Sequence, residues 1–292
     1  RVVRLEASGG DPMRRAAPAW DAALGAGKES VTCDLPADVE LARSLCARAD
    51  VVLDSFRPGV LETLGVRPTE LSTAVVWCSL TGFGDEGPHA SRAGHDVNYL
   101  GWAGALEDEP ALPPVPVADL AAGALGAVTQ ILAALLARQR SGRGARVVVS
   151  MTHRSHDLVA HRLGGEPVPR LLTGGLACYA IYACADGRHL TLGALEPKFF
   201  SRLCQLAGAP ELAARQYAAD QDALRRELAA RFARRPLAEW LALFDGEDVC
   251  VGPVLTRAEA AVELGLDAPP TGLYPSAGQH TAAWRAELGL DG

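Results

Sequence analysis

His95, Asp119 and Glu196 are the side chains in this sequence whose types and settings suggest proton chemistry. His95 and Asp96 sit together in AGHDVNYLGWAGAL (93–106), a glycine-flanked segment with almost no other charge. Asp119 opens a long apolar run, and Glu196 closes the strand-like HLTLGAL just before Pro197. An imidazole and a carboxylate aimed at one carbon can take a proton from one face and return it to the other. Each residue also has a structural alternative. Asp96 or backbone can satisfy His95, Asp119 can simply cap the helix that follows it, and Glu196 can cap a helix or end a strand. A helix N-terminus at Asp119 would also offer N–H donors to a developing enolate oxygen. Lys28 and the turn DSFRPGV (54–60) can meet a phosphate, or serve as a solvated charge and a turn.

The elements that must position these groups follow from periodicity. Apolar, β-branched runs predict strands over 1–6, 27–35, 50–56, 74–84 and 146–151. Helical spacing predicts helices over 38–49, 62–71 (short, with a proline break) and 119–140, the last apolar all round and so expected to be buried, with Asp119 as its N-cap. This alternation predicts an α/β fold, a Rossmann-like large domain on a parallel sheet with sites at strand C-termini. The stretch 164–175 reads as a linker to a smaller α+β domain. That domain opens with a hairpin (179–184 and 189–195), continues with helices over 197–207, 221–234 and 236–244, and adds a strand over 249–254. TRAE (256–259) is a capping box opening a helix to 264, and the tail is loop-like until a short helix over 280–288. The expected division is a large domain over 1–165, a small domain over 170–264, and a segment over 265–292 returning to the large domain.

The chain has 292 residues, net charge −7 and 49% hydrophobic residues, ordinary for a globular protein and unfavourable for a broad nucleic-acid surface. No uninterrupted apolar run reaches the length of a membrane span, so no membrane partner is expected. Seven scattered cysteines without a CxxC predict packed, reduced thiols, a cytoplasmic protein and no metal site.

The segments GGDPMR, GKESVTCDL, ADVVLDSFRPGVLETLG, SLTGFGDEGP, AGHDVNY, PVADLAAG, SGRGARVVVSM, ADGRHLTLGALEPKFF and GQHT follow one another in the order of a known family. The chain resembles the family III CoA-transferase superfamily (CaiB/BaiF), and AGHDVNY with GALEPKFF is most similar to its α-methylacyl-CoA racemase branch. The resemblance implies catalytic roles for His95, Asp119 and Glu196, with Asp96 as a helper to His95. It implies an interlocked homodimer in which Glu196 reaches the partner's site. It also implies an acyl-CoA substrate with no separate cofactor, coenzyme A being part of the substrate. Residues expected at coenzyme A are Arg4, Lys28, Ser55, Phe56, Arg57 and Gly94.

Two departures stand out. A further βα unit of about 30–40 residues normally precedes the strand matching RVVRLE, so upstream residues are expected to be missing here. Ser79 occupies a position where racemases often carry arginine. The expected reaction is racemisation of 2-methyl-branched acyl-CoA thioesters by 1,1-proton transfer through an enolate. The alternative is CoA transfer through an anhydride on Asp119, with His95 dispensable, and the least favoured is a non-catalytic paralogue.

Overall fold

The computed structural model describes residues 1–107, 111–162, 170–266 and 274–290. The chain divides into two compact units, Arg1–Ala160 with Pro269–Gly292, and His161–Ala268. Part of the linker expected over 164–175, and the start of the loop-like tail, lie outside the described residues.

The first unit is built on parallel strands. β1 (Val3–Glu6) leads through α1 (Met13–Ala16) and α2 (Pro18–Gly25) to β2 (Glu29–Thr32), which pairs parallel with β1. Next come α3 (Val39–Arg48), β3 (Val51–Asp54), α4 (Val60–Thr63), α5 (Pro68–Leu71), β4 (Val76–Thr81) and α6 (Asp96–Trp102). A π-helical turn (Ala118–Leu125) runs into α7 (Gly126–Ser141), and β5 (Ala145–Ser150) is followed by α8 (Met151–Leu158). β3, β4 and β5 form a second parallel sheet in that order. Period-two alternation sorts β4 between two faces. Cys78 packs with Val149 and Ala127 of α7 on one face, while Trp77, Ser79 and Thr81 line a cleft with Asp54 on the other.

The core of this unit holds Val31, Leu41, Cys46, Val66, Trp77 and Trp284. Fully burying a large apolar side chain contributes about 1.5–3 kcal/mol. Trp284 belongs to α13 (Thr281–Leu288). The C-terminal segment is anchored by His280, whose N–H donates to Ser30 O (2.9 Å) and whose Nδ1 accepts Ser30 N–H (3.1 Å).

The second unit is an antiparallel sheet, β6 (Tyr179–Ala183), β7 (His189–Gly193) and β8 (Val251–Pro253), with helices packed on it. The helices are α9 (Pro197–Leu206), α10 (Gln221–Phe232), α11 (Leu237–Phe244) and α12 (Arg257–Glu263), and Pro210–Arg215 forms a 3₁₀ turn. Leu190 and Leu192 from the sheet meet Phe200, Leu203, Leu228 and Trp240 in one core. The Thr256 capping box opens α12 as expected, Thr256 Oγ accepting from Glu259 N–H at 3.2 Å.

Three expectations are corrected. The proline-broken helix expected over 62–71 is two separate short helices, because Gly65 turns with φ 84° ahead of Pro68, which starts the second. Asp119 does not cap its helix. Val117 is already helical at φ −69°, ψ −40°, and Leu120 N–H bonds to Pro116 O, so the helical run starts earlier and Asp119 lies in its first turn. The long helix is also not buried. Only Ala118, Ala122, Gly123 and Ala127 are buried, while Leu125, Val128, Leu132 and Leu136 are more than half exposed. An 18-residue window of the run Ala118–Ser141 reaches mean hydropathy 2.0, enough by length and composition to cross a membrane. Thr129 and Gln130 interrupt it, so the sequence shows no uninterrupted apolar stretch of that length. All the described cysteines are free, and only Cys250 is exposed.

Candidate active site

α6 begins directly after His95. His95 is the N-cap in extended conformation (φ −131°, ψ 177°), and Asn98 three residues on completes a capping box. Asn98 Oδ1 accepts the His95 backbone N–H at 3.0 Å. The exposed imidazole is thus presented at a helix start by its own backbone.

Two glycines make this entry possible. A Cβ on Gly94 would stand 2.7 Å from the Tyr99 ring, and one on Gly82 2.5 Å from it. With that space Tyr99 folds back, and its hydroxyl donates to Gly94 O at 2.5 Å, pinning the residue before His95. Phe83, Tyr99, Leu100 and Ala118 form the apolar floor beneath.

Asp96 ties the two catalytic candidates of this unit together. Its Oδ1 accepts the Asp119 backbone N–H at 2.8 Å, so the first turn of α6 is joined to the π-helical turn. Widened turns of this kind are frequent at functional sites. The Asp119 carboxyl opens to solvent on one side yet is desolvated on the other. Burial pushes its pKa up, the Asp96 charge adds to this, and His95 opposes it. His95 and Asp119 are therefore in electrostatic reach of each other. A carboxyl held above its ordinary range beside an imidazole is a recognised mark of acid–base sites. Asp96, expected beside His95 as its helper, takes its hydrogen bond from the Asp119 N–H. The Asp119 and Leu120 N–H groups are both occupied, which leaves neither for an enolate oxygen.

One consequence is measurable. Asp96→Asn keeps an acceptor for the Asp119 N–H but removes a like charge, so the Asp119 pKa should fall. The acid limb of the pH–rate profile is expected to move to lower pH, read from kcat/KM against pH. An unmoved limb would contradict this coupling.

Glu196 belongs to the second unit. It is exposed at the N-cap of α9, with no side-chain capping hydrogen bond and with Pro197 at the helix start. The candidates for coenzyme A fall at several places. Phe56 and Arg57, beside Ser55, line a cleft with Asp54, Ser79 and Arg146. Gly94 adjoins His95. Arg4 is already committed, 2.8 Å from Asp21 and 3.0 Å from Asp11, and Lys28 lies in the turn before β2. Ser79 Oγ donates to Asp54 Oδ2 at 2.9 Å, as does Trp77 Nε1 at 2.6 Å. Arg146, unnoticed in the sequence, lays its guanidinium 4.6 Å from the Trp77 ring centre and within 3.7 Å of Glu62 and 3.5 Å of Asp85. Its only sequence signal was a charge at the start of an apolar strand. Among the described residues no group of three or more His, Cys, Asp or Glu is placed to hold a metal ion.

The sequence matches the profile of CoA-transferase family III over residues 1–268. The chain belongs to CoA-transferase family III. Within that family it is 37% identical over 258 residues to mouse (Mus musculus) alpha-methylacyl-CoA racemase, covering 81% of this chain and 68% of that protein. It is 29% identical over 294 residues to acetyl-CoA:oxalate CoA-transferase of Acetobacter aceti, covering 89% and 75%. The crystal structure of a CaiB/BaiF family protein from Brucella suis matches with TM-score 0.83 at 27% identity, covering 99% of this chain and 92% of that one. The family III fold thus extends over both units, and the relatives include proteins named as a racemase and as a CoA-transferase.

Proposed function

We propose that this chain is an acyl-CoA racemase acting on 2-methyl-branched acyl-CoA thioesters by 1,1-proton transfer. The observation that carries the reading is the pairing of His95 with a carboxyl of raised pKa, Asp119, braced through Asp96. The proton α to a thioester is weakly acidic, so a base on each face and a stabilised enolate are required. His95 serves one face and Asp119 the other, and whichever begins unprotonated sets the direction. Coenzyme A, as part of the substrate, lies along Ser55, Phe56 and Arg57. Removing the His95 imidazole separates the possibilities. His95→Ala should abolish interconversion of (2R)- and (2S)-methylacyl-CoA, followed by chiral chromatography.

The family's transferase members support a second reading, in which Asp119 attacks the acyl-CoA carbonyl and forms an aspartyl anhydride with release of the CoA thiolate. A His95→Ala variant that retains CoA transfer, with hydroxylamine trapping at Asp119, would favour it.

The reading includes a homodimer with Glu196 acting in the partner's site. It is supported by the exposed apolar face of Leu125, Val128, Leu132 and Leu136, larger than isolated surface residues require. Leu132→Glu with Leu136→Glu is expected to halve the mass measured by light scattering and to lower kcat at least tenfold. An unchanged mass would remove this face from the interface.

A further inference from the structure

The backbone that carries Glu196 is braced from one side by a buried amide and a phenol. Gln216, buried just after the 3₁₀ turn, donates its Nε2 to Ala194 O at 2.9 Å and to Leu195 O at 2.7 Å. Tyr217 Oη donates to the same Leu195 carbonyl. That carbonyl belongs to the peptide bond entering Glu196. Behind it, Ala194 N–H donates to Cys178 O at 2.9 Å. Gln221 Nε2 donates to Gln216 O at 3.1 Å, and its Oε1 accepts Ala177 N–H at 2.9 Å. On the other side Pro197 restricts Glu196 to extended backbone, φ −72°, ψ 134°.

We propose that Gln216 and Tyr217 are positioning residues for Glu196. Three hydrogen bonds on two successive carbonyls, with a proline following, leave the Glu196 carboxyl only its own side-chain torsions. A buried amide is an expensive way to fill space, and its Nε2 donates to these two carbonyls at 2.9 and 2.7 Å, with a longer contact of 3.8 Å to Cys178 Sγ. The Glu196 charge also reaches the Tyr217 phenol, as one of the causes that raise its pKa after burial and Cys178. The proposal rests on the catalytic reading of Glu196 above.

The test is a double-mutant cycle on the full chain with 2-methylacyl-CoA. Tyr217→Phe removes one hydroxyl from a half-exposed ring and should leave the melting temperature unchanged. It is expected to lower kcat roughly tenfold with KM altered less than about twofold, as for a misplaced group not involved in substrate binding. Gln216→Met should do the same more strongly. In a Glu196→Gln background, Tyr217→Phe should cost nothing further, because its effect passes through the carboxylate. Wild-type kcat in Tyr217→Phe, or full additivity with Glu196→Gln, would overturn the proposal. Wild-type kcat in Glu196→Gln itself would remove the catalytic reading of Glu196, and the proposal with it.

Discussion

Replacing Asp119 with asparagine is expected to lower kcat for racemisation by about a thousandfold, with the fold intact. The substitution is isosteric and leaves the backbone N–H bond to Asp96 in place, so the geometry of α6 and the π-helical turn is kept. What is lost is the group that exchanges a proton with the α-carbon. The direction of the accompanying stability change follows from linkage. Burial and Asp96 raise the Asp119 pKa in the folded protein, so the native state holds this proton more tightly than the unfolded chain does. The favourable contribution is full below the ordinary carboxylate range and is lost as pH rises through the raised value. At neutral pH the charged carboxylate therefore costs stability, and the asparagine variant should melt no lower than wild type. A large activity loss with an undiminished melting temperature fits a catalytic Asp119 that caps no helix, since loss of a cap would cost about 1 kcal/mol.

Removing Glu6 is expected to have the largest effect on stability. Its carboxylate is fully enclosed between β1 and α1, where Arg14 donates through Nε (2.7 Å) and Nη2 (2.6 Å). Ser30 Oγ (2.6 Å) and the Asp11 N–H (2.8 Å) also donate to it, and Arg4 Nε lies 3.9 Å away. Arg14 also donates to Pro275 O and lies 4.6 Å from the Tyr274 ring centre, while Tyr274 bonds to Asp21. The network thus holds the C-terminal segment to the start of the chain. Burial alone would raise the Glu6 pKa, but the bonds from Arg14, Ser30 and Asp11 outweigh it and bring the value to about 2. A depressed carboxylate stabilises the fold above its unfolded pKa, and that stabilisation is lost as pH falls from 4.5 towards 2. The loss amounts to about 3 kcal/mol at most. Glu6→Gln leaves the Arg14 guanidinium, whose side chain is 14% exposed, without its enclosed counter-ion, at a cost of about 3 kcal/mol at pH 7. Urea unfolding of the first unit, followed by tryptophan fluorescence, should show this loss and a flatter acid dependence in the variant. Equal stability of the two proteins at pH 7 would refute the assignment.

How far the sequence was legible depended on what each signal encodes. Strand positions were readable because β-branched runs such as AVVWC and RVVVS have no other stable use in a buried sheet. The ends of the long helix were not. An aspartate before an apolar run is a strong capping signal, and Pro116, which suits a first-turn position, was the weaker but correct marker of the start. The exposure of that helix was also unreadable, since residues apolar on every side suit a core and an interface equally well. α6 escaped notice because its capping box uses His95 and Asn98 in place of the usual hydroxyl and acid. The candidate residues themselves were legible from AGHDVNY, PVADLAAG and GALEP. The Asp96 bridge, Arg146 and Gln216 were not, because each acts on a partner distant in sequence, and spacing along the chain carries no trace of such a contact.

The central claim is that this chain moves the α-proton of an acyl-CoA. It is tested most directly by incubating one pure epimer of a 2-methylacyl-CoA with the protein in D2O and following the product by mass spectrometry and chiral chromatography. The account predicts deuterium at the α-carbon together with formation of the other epimer, both lost in Asp119→Asn and in His95→Ala. CoA transfer to an added carboxylate without any α-deuterium would contradict it.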